Sequence, residues 1–150
     1  MPTCFDVANY FLSIQDKVPD ITNMKLQKLC YYAQGFTLAL LDKPLFAEEI
    51  QAWKHGPVIP ELYKKYQDYG EKILPVEEFK NKTFVFTDEE IEILNEVYNE
   101  YGQFTAWKLR EFTHQEPTWI KHYHIYDNFH NEIIPLKEMK EFFKTEINYE

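Results

Sequence analysis

The chain has 150 residues, 45% hydrophobic and 17% aromatic, and its 16 basic and 25 acidic residues give a formal charge of −9. This length fits one domain with a real core, and the apolar and aromatic content argues against disorder. The acidic balance argues against duplex nucleic acid as a partner, because that binding depends on neutralised phosphates. It suits a basic protein partner and equally serves plain solubility. Cys4 and Cys30 form neither a Cys-x-x-Cys motif nor a metal-type pair, and read as free thiols of a cytosolic protein. No basic segment followed by an apolar run opens the chain, and no stretch approaches the roughly 18 apolar residues of a membrane helix. A soluble cytoplasmic protein without a membrane partner is the expectation.

In chain order, Thr3 precedes a first helix with Phe5, Ala8, Phe11 and Leu12 on one face. Pro19 lies in the following break. Thr22 is an N-cap for a second helix reaching about Leu41, with a buried stripe of Leu26, Leu29, Cys30, Ala33, Thr37 and Leu40. Gly35 inside that helix costs about 1 kcal/mol against alanine, which close approach of another segment would explain. Lys43-Pro44 breaks the chain, and Leu45 to Trp53 reads either as a short extended piece or as irregular helix.

Pro60 suits the first turn of a third helix and Gly70 its stop, with Ile59, Leu62, Tyr63 and Tyr66 inward. The stretch from Lys80 to Phe86 alternates Phe84 and Phe86 around Val85, as a short strand would. Thr87-x-x-Glu90 is a capping box opening a fourth helix with Ile91, Leu94, Tyr98 and Tyr101 inward and Gly102 at its end. The acidic positions from Glu96 to Glu100 read as a solvated face. Thr105 caps a fifth helix, Pro117 starts a sixth, and Pro135 a last one carrying Leu136, Met139 and Phe143. The predicted class is mainly α: a compact single-domain bundle of about seven helices with at most a small β element.

Three segments exceed what packing requires. In the first, Lys25, Lys28 and Tyr32 recur at helical spacing, and Gln27, Tyr31 and Gln34 follow on a neighbouring face. Residue types favour a surface with snorkelling lysines and half-buried tyrosines; the functional alternative is a polar-aromatic recognition strip. The second, Trp53-Lys54-His55-Gly56-Pro57, reads as a tight turn feeding the third helix. His55 is a base, a ligand or a strut, and the strut is favoured, tied to a backbone group or to Glu61 or Glu116. In the third, Thr113-x-x-Glu116 before Pro117 can open the sixth helix with Trp119 beneath it.

Catalytic signatures are weak. His114, Glu116, His122, His124 and His130 invite a metal-dependent hydrolase reading, since His and carboxylate suit zinc. No His-Glu-x-x-His motif supports it, and His122 and His124 would face apart on a helix. Cys30 on the buried stripe would be inert, and no nucleophile elbow or phosphate loop is present. The expectation is no enzyme, no metal and no cofactor.

Together the three segments resemble the Panacea domain, also called the SocA-like antitoxin domain and associated with phages. The resemblance runs from about Val7 to about Phe143, so the whole chain reads as one such domain. Lys25, Gln27, Lys28, Tyr31, Tyr32 and Gln34 match its first motif. Trp53, His55, Gly56 and Pro57 match the second, and His114, Glu116 and Trp119 the third. Pro117-Thr118-Trp119 departs from the family's Pro-Trp order, which shifts the expected start of the sixth helix by a residue.

The resemblance implies an antitoxin of a toxin-antitoxin system, encoded beside a cognate protein toxin and neutralising it by direct contact. One branch of the family instead resembles a protease adaptor that delivers a toxin to a Clp-type protease. Some members carry an added DNA-binding domain, for which this length leaves no room. The matched residues are candidates either for partner contact or for internal struts of the fold. An acidic mimic of nucleic acid is a further reading of the charge, and it predicts a steep salt dependence.

Overall fold

The computed structural model describes residues 1–15, 18–75, 85–123 and 131–147. Its described helices are α1 (Cys4–Ser13), α2 (Asn23–Leu41), α3 (Pro60–Tyr66), α4 (Asp88–Tyr101), α5 (Ala106–Thr113), α6 (Pro117–Ile120) and α7 (Leu136–Glu146). A two-stranded antiparallel hairpin, β1 (Gln51–Trp53) and β2 (Gly56–Val58), precedes α3. The fold is therefore mainly α with a small β element.

Local chemistry sets most boundaries. Thr3, Thr22, Thr87 and Thr105 each accept a backbone N–H from the first turn of the helix that follows, satisfying a donor the helix cannot. Thr3 with Asp6 and Thr87 with Glu90 complete capping boxes. Pro60 and Pro117 stand in the first turns of α3 and α6, where a missing N–H costs nothing. The chain between Leu45 and Trp53 resolves as extended at its end. The strand expected around Phe84 falls mostly outside the described residues.

Helix α2 is the axis of the molecule, contacting α1, α3, α4, α5, α7 and β2. From Lys25 to Gly35 every one of eleven consecutive residues is buried, which overturns the expected surface face of snorkelling lysines. A helix enclosed on all sides has no solvent face to present. Leu40 departs in the other direction: predicted inward, it is 52% exposed, because α2 leaves the core in its last turn. Gly35 permits a close approach of α2 to α7. A methyl group there would meet the Phe143 ring of α7 at 2.2 Å.

Helix α4 buries Ile93, Leu94 and Val97, with Ile91, Tyr98 and Tyr101 only partly covered. Its inward stripe is thus rotated from the expected one. Tyr63 of α3 is likewise partly exposed, whereas Ile59, Leu62 and Tyr66 are core. Gly70 closes the 3-10 turn at Gln67–Tyr69 that extends α3, with φ of 56°. Two bridges knit the periphery: Thr22 opposite Ile73, and Gln51 opposite Ile133.

Candidate functional site

The polar side chains of α2 each hold a distant segment. Lys25 Nζ donates to Asp20 at 2.8 Å and to the Gly102 carbonyl at 2.7 Å, joining α2 to the end of α4. Gln27 accepts the Ile59 N–H at 2.8 Å and donates to Asn23. Gln34 accepts the Leu45 N–H at 2.7 Å and donates to the Phe46 carbonyl at 2.9 Å. Buried donors and acceptors cost free energy when unpaired, so these bonds explain why long polar residues are tolerated there.

Lys28 Nζ donates to the Pro57 carbonyl at 3.2 Å from a fully buried position. Burial, aided by Arg110, lowers its pKa to about 7, since desolvation penalises the charged amine. The hairpin bends over this lysine. Gly56 takes φ of 114°, and a methyl group there would meet Lys28 Cε at 2.6 Å and Thr113 Oγ1 at 2.8 Å. Glycine serves both the turn and the close approach.

Tyr31 and Tyr32 reach Glu116 from below. Tyr31 OH donates to one carboxylate oxygen at 2.7 Å and Tyr32 OH to the other at 2.8 Å. Tyr31 OH also lies 2.6 Å from Thr118 Oγ1. Tyr32 stacks on Tyr101 with ring centroids 4.0 Å apart. Desolvation raises the Glu116 pKa to about 7 against the opposing pull of the two phenols. Burial and the neighbouring carboxylate push both phenols up. Glu116 therefore anchors the α5–α6 junction onto α2. The expected capping box of Thr113 with Glu116 is absent, because Glu116 is the N-cap without a side-chain cap and Thr113 donates to the Arg110 carbonyl.

Trp119 is the pillar beneath the hairpin. Its indole N–H donates to the Trp53 carbonyl at 2.7 Å. His114 and Tyr123 both stack on it, with ring centroids at 3.8 and 4.8 Å. Desolvation, with Arg110 next, lowers the His114 pKa to about 4. His55 is tied neither to Glu61 nor to Glu116. Its Nδ1 accepts from Arg110 Nε at 2.9 Å, and Arg110 lies over the Trp107 ring. Of the thirteen residues matched to motifs, His55 is the exposed one. Arg110 and Tyr101 belong to this network without having stood out in the sequence. Arg110 sits at helical spacing from Trp107 and His114, which is the signal that could have pointed to it.

The histidines of the hydrolase reading disperse. His114 stacks against Trp119, whereas His122 pairs with Glu132 at 2.9 Å and Glu138 at 3.1 Å. His124 and His130 lie outside the described residues. Among the described residues no group of three or more His, Cys, Asp or Glu side chains is arranged to hold a metal ion. Cys4 and Cys30 are buried free thiols; burial pushes Cys4 up to about 12 and Cys30 well above its ordinary value, which makes both poor nucleophiles. No described helix is long and apolar enough to cross a membrane.

Comparison with known proteins places this network in a family. Over 54 residues the chain is 41% identical to antitoxin SocA of Caulobacter vibrioides (strain NA1000 / CB15N), a match covering 36% of this chain and 29% of that protein. No solved structure matches significantly. The model of the family described as "Antitoxin SocA-like, Panacea domain" matches residues 26–120. That span holds twelve of the thirteen motif residues, Lys25 lying just before it, and the chain belongs to the SocA-like Panacea domain family.

Proposed function

We propose that this protein is the antitoxin of a toxin-antitoxin pair and silences a cognate protein toxin by direct, stoichiometric contact in the cytoplasm, without catalysis. The match to the antitoxin family over residues 26–120 carries this reading. The chemistry of the network is consistent with it. Glu116, Lys28, Tyr31 and Tyr32 are committed to internal hydrogen bonds, so they brace the fold. The surfaces they hold in place, together with the exposed hairpin tip at His55, are left to meet the partner.

Co-expression with the protein encoded beside it tests the proposal. Growth arrest by that neighbour alone, relieved by this chain and still relieved by its His55→Ala variant, is the expected result. A harmless neighbour, or relief lost with His55→Ala although the folded variant still binds the neighbour stoichiometrically, would contradict binding without catalysis.

A further inference from the structure

Helices α2 and α4 and the end of α7 enclose an open groove of about 1010 Å³. Its floor is apolar: Phe36, Leu40, Val97 and Tyr101 line it, and Leu40 is 52% exposed there. Its rim is anionic: Glu92, Glu96, Glu100 and Glu146 surround that floor. Among the described residues no Lys, Arg or His lines the groove. None of the ion pairs within the described residues uses these four carboxylates.

This arrangement works against the stability of α4. Glu92, Glu96 and Glu100 repeat at four-residue spacing, where like charges repel along one helix face. Glu100 stands in the last turn, at the negative end of the helix dipole, and that turn has no basic residue. Glu146 adds a second carboxylate at the C-terminal end of α7. The glutamate row spans about 12 Å, roughly two helical turns.

We propose that this groove is the docking site for a basic amphipathic helix of the protein partner, whose apolar stripe covers the floor while flanking Lys or Arg side chains neutralise the row of glutamates. Charge complementarity selects this occupant: an acidic helix or an anionic membrane would meet the same four carboxylates and be repelled. The mode is that of an amphipathic helix laid into an apolar groove. The proposal rests on the antitoxin reading only in identifying that partner with the toxin; the groove's preference for a cationic helix stands on geometry and charge.

The test uses the full chain, isotope-labelled for NMR and titrated at physiological salt with a short Lys/Leu peptide patterned as an amphipathic helix. A peptide of the same composition in scrambled order is the control. Saturable shifts centred on Phe36, Leu40, Val97 and Tyr101 are expected, with the scrambled peptide much weaker. Glu96→Lys is expected to weaken binding roughly tenfold while raising Tm, since it converts two repulsive spacings into attractive ones. Glu71→Lys, an equal charge change at an exposed position away from the groove, is expected to leave binding intact. Equal binding of the scrambled peptide, or equal weakening by Glu71→Lys, would overturn the proposal.

A parallel titration with the toxin separates the two readings. Unchanged toxin binding by Glu96→Lys overturns the assignment of the groove to the toxin and leaves the antitoxin reading standing. A neighbour that fails to bind the wild-type chain overturns the antitoxin reading, while the peptide titration still decides the groove.

Discussion

Replacing Glu116 by Gln removes one ionisation from the core and leaves its hydrogen-bonding frame in place. The amide oxygen can still accept from Tyr32, and the amide nitrogen can donate to Tyr31 OH, which in turn has Thr118 Oγ1 at 2.6 Å to receive its proton. Burial raises the Glu116 carboxyl from 4.5 to about 7. A raised carboxyl contributes its full stability below the unfolded value, near pH 4.5, and loses it as pH climbs through 7. The difference of about 2.5 units corresponds to about 3 kcal/mol. Lys28 works in the opposite sense over the neighbouring range, so the wild-type profile alone blends two slopes.

Subtracting the wild-type profile from that of Glu116→Gln cancels Lys28 and isolates the carboxyl. Urea unfolding at a series of pH values is the assay. The variant is expected to match wild type near pH 4.5 and to exceed it by about 3 kcal/mol above pH 8, worth about 6–12 °C in Tm for a chain this size. A constant difference across pH, or destabilisation that grows with pH, would refute the claim that the folded state carries a costly charge at Glu116.

Other substitutions probe the rest of the network. Gly35→Ala drives a methyl group into the Phe143 ring and is expected to cost about 1–3 kcal/mol by overpacking, read as a lower urea midpoint. Gly56→Ala combines a left-handed φ with contact on Lys28 and Thr113; a loss of similar size, about 1–3 kcal/mol, is expected in thermal unfolding. Lys28→Met should stabilise the protein most below pH 7, where the wild-type amine is charged inside the core, with the advantage shrinking as pH rises from 7 towards the ordinary lysine value of 10.5, because the folded pKa is lowered to about 7. Trp119→Phe removes the donor to the Trp53 carbonyl and is expected to cost about 1 kcal/mol from the bond, with faster amide exchange in β1 and β2.

Helix boundaries were legible in the sequence because they are local. Thr3, Thr22, Thr87 and Thr105 lie three residues from the N–H groups they accept, and Pro60 and Pro117 act through their own rings. The close approach at Gly35 was legible too, since a glycine within an otherwise helical pattern asks for a neighbour. The environment of α2 was not. Lys25 is buried because the Gly102 carbonyl, 77 residues away, receives its ammonium, and no window along the chain contains that pairing. Mixed polar and apolar residues on every face of α2 hide a helix enclosed on all sides from Lys25 to Gly35, whereas periodicity detects a helix with one wet side.

The same limit governed Glu116 and His55. At its place in the chain Glu116 reads as a capping residue, and only the fold brings Tyr31 and Tyr32, 85 and 84 residues earlier, under its carboxylate. His55 finds Arg110 across 55 residues, where the residue types suggested a backbone group, Glu61 or Glu116. Of the acidic row on α4, the positions from Glu96 to Glu100 read in the sequence as a solvated face. Its meaning as a rim required the apolar floor from α2 and the end of α7.

Titrating the proposed toxin partner with the purified chain, and following that partner's own activity, tests direct neutralisation most plainly. Direct neutralisation predicts a one-to-one end point and a complex of both proteins in size-exclusion chromatography. Full inhibition by a small fraction of an equivalent, with no complex recovered, would contradict it and show that the chain acts by turnover.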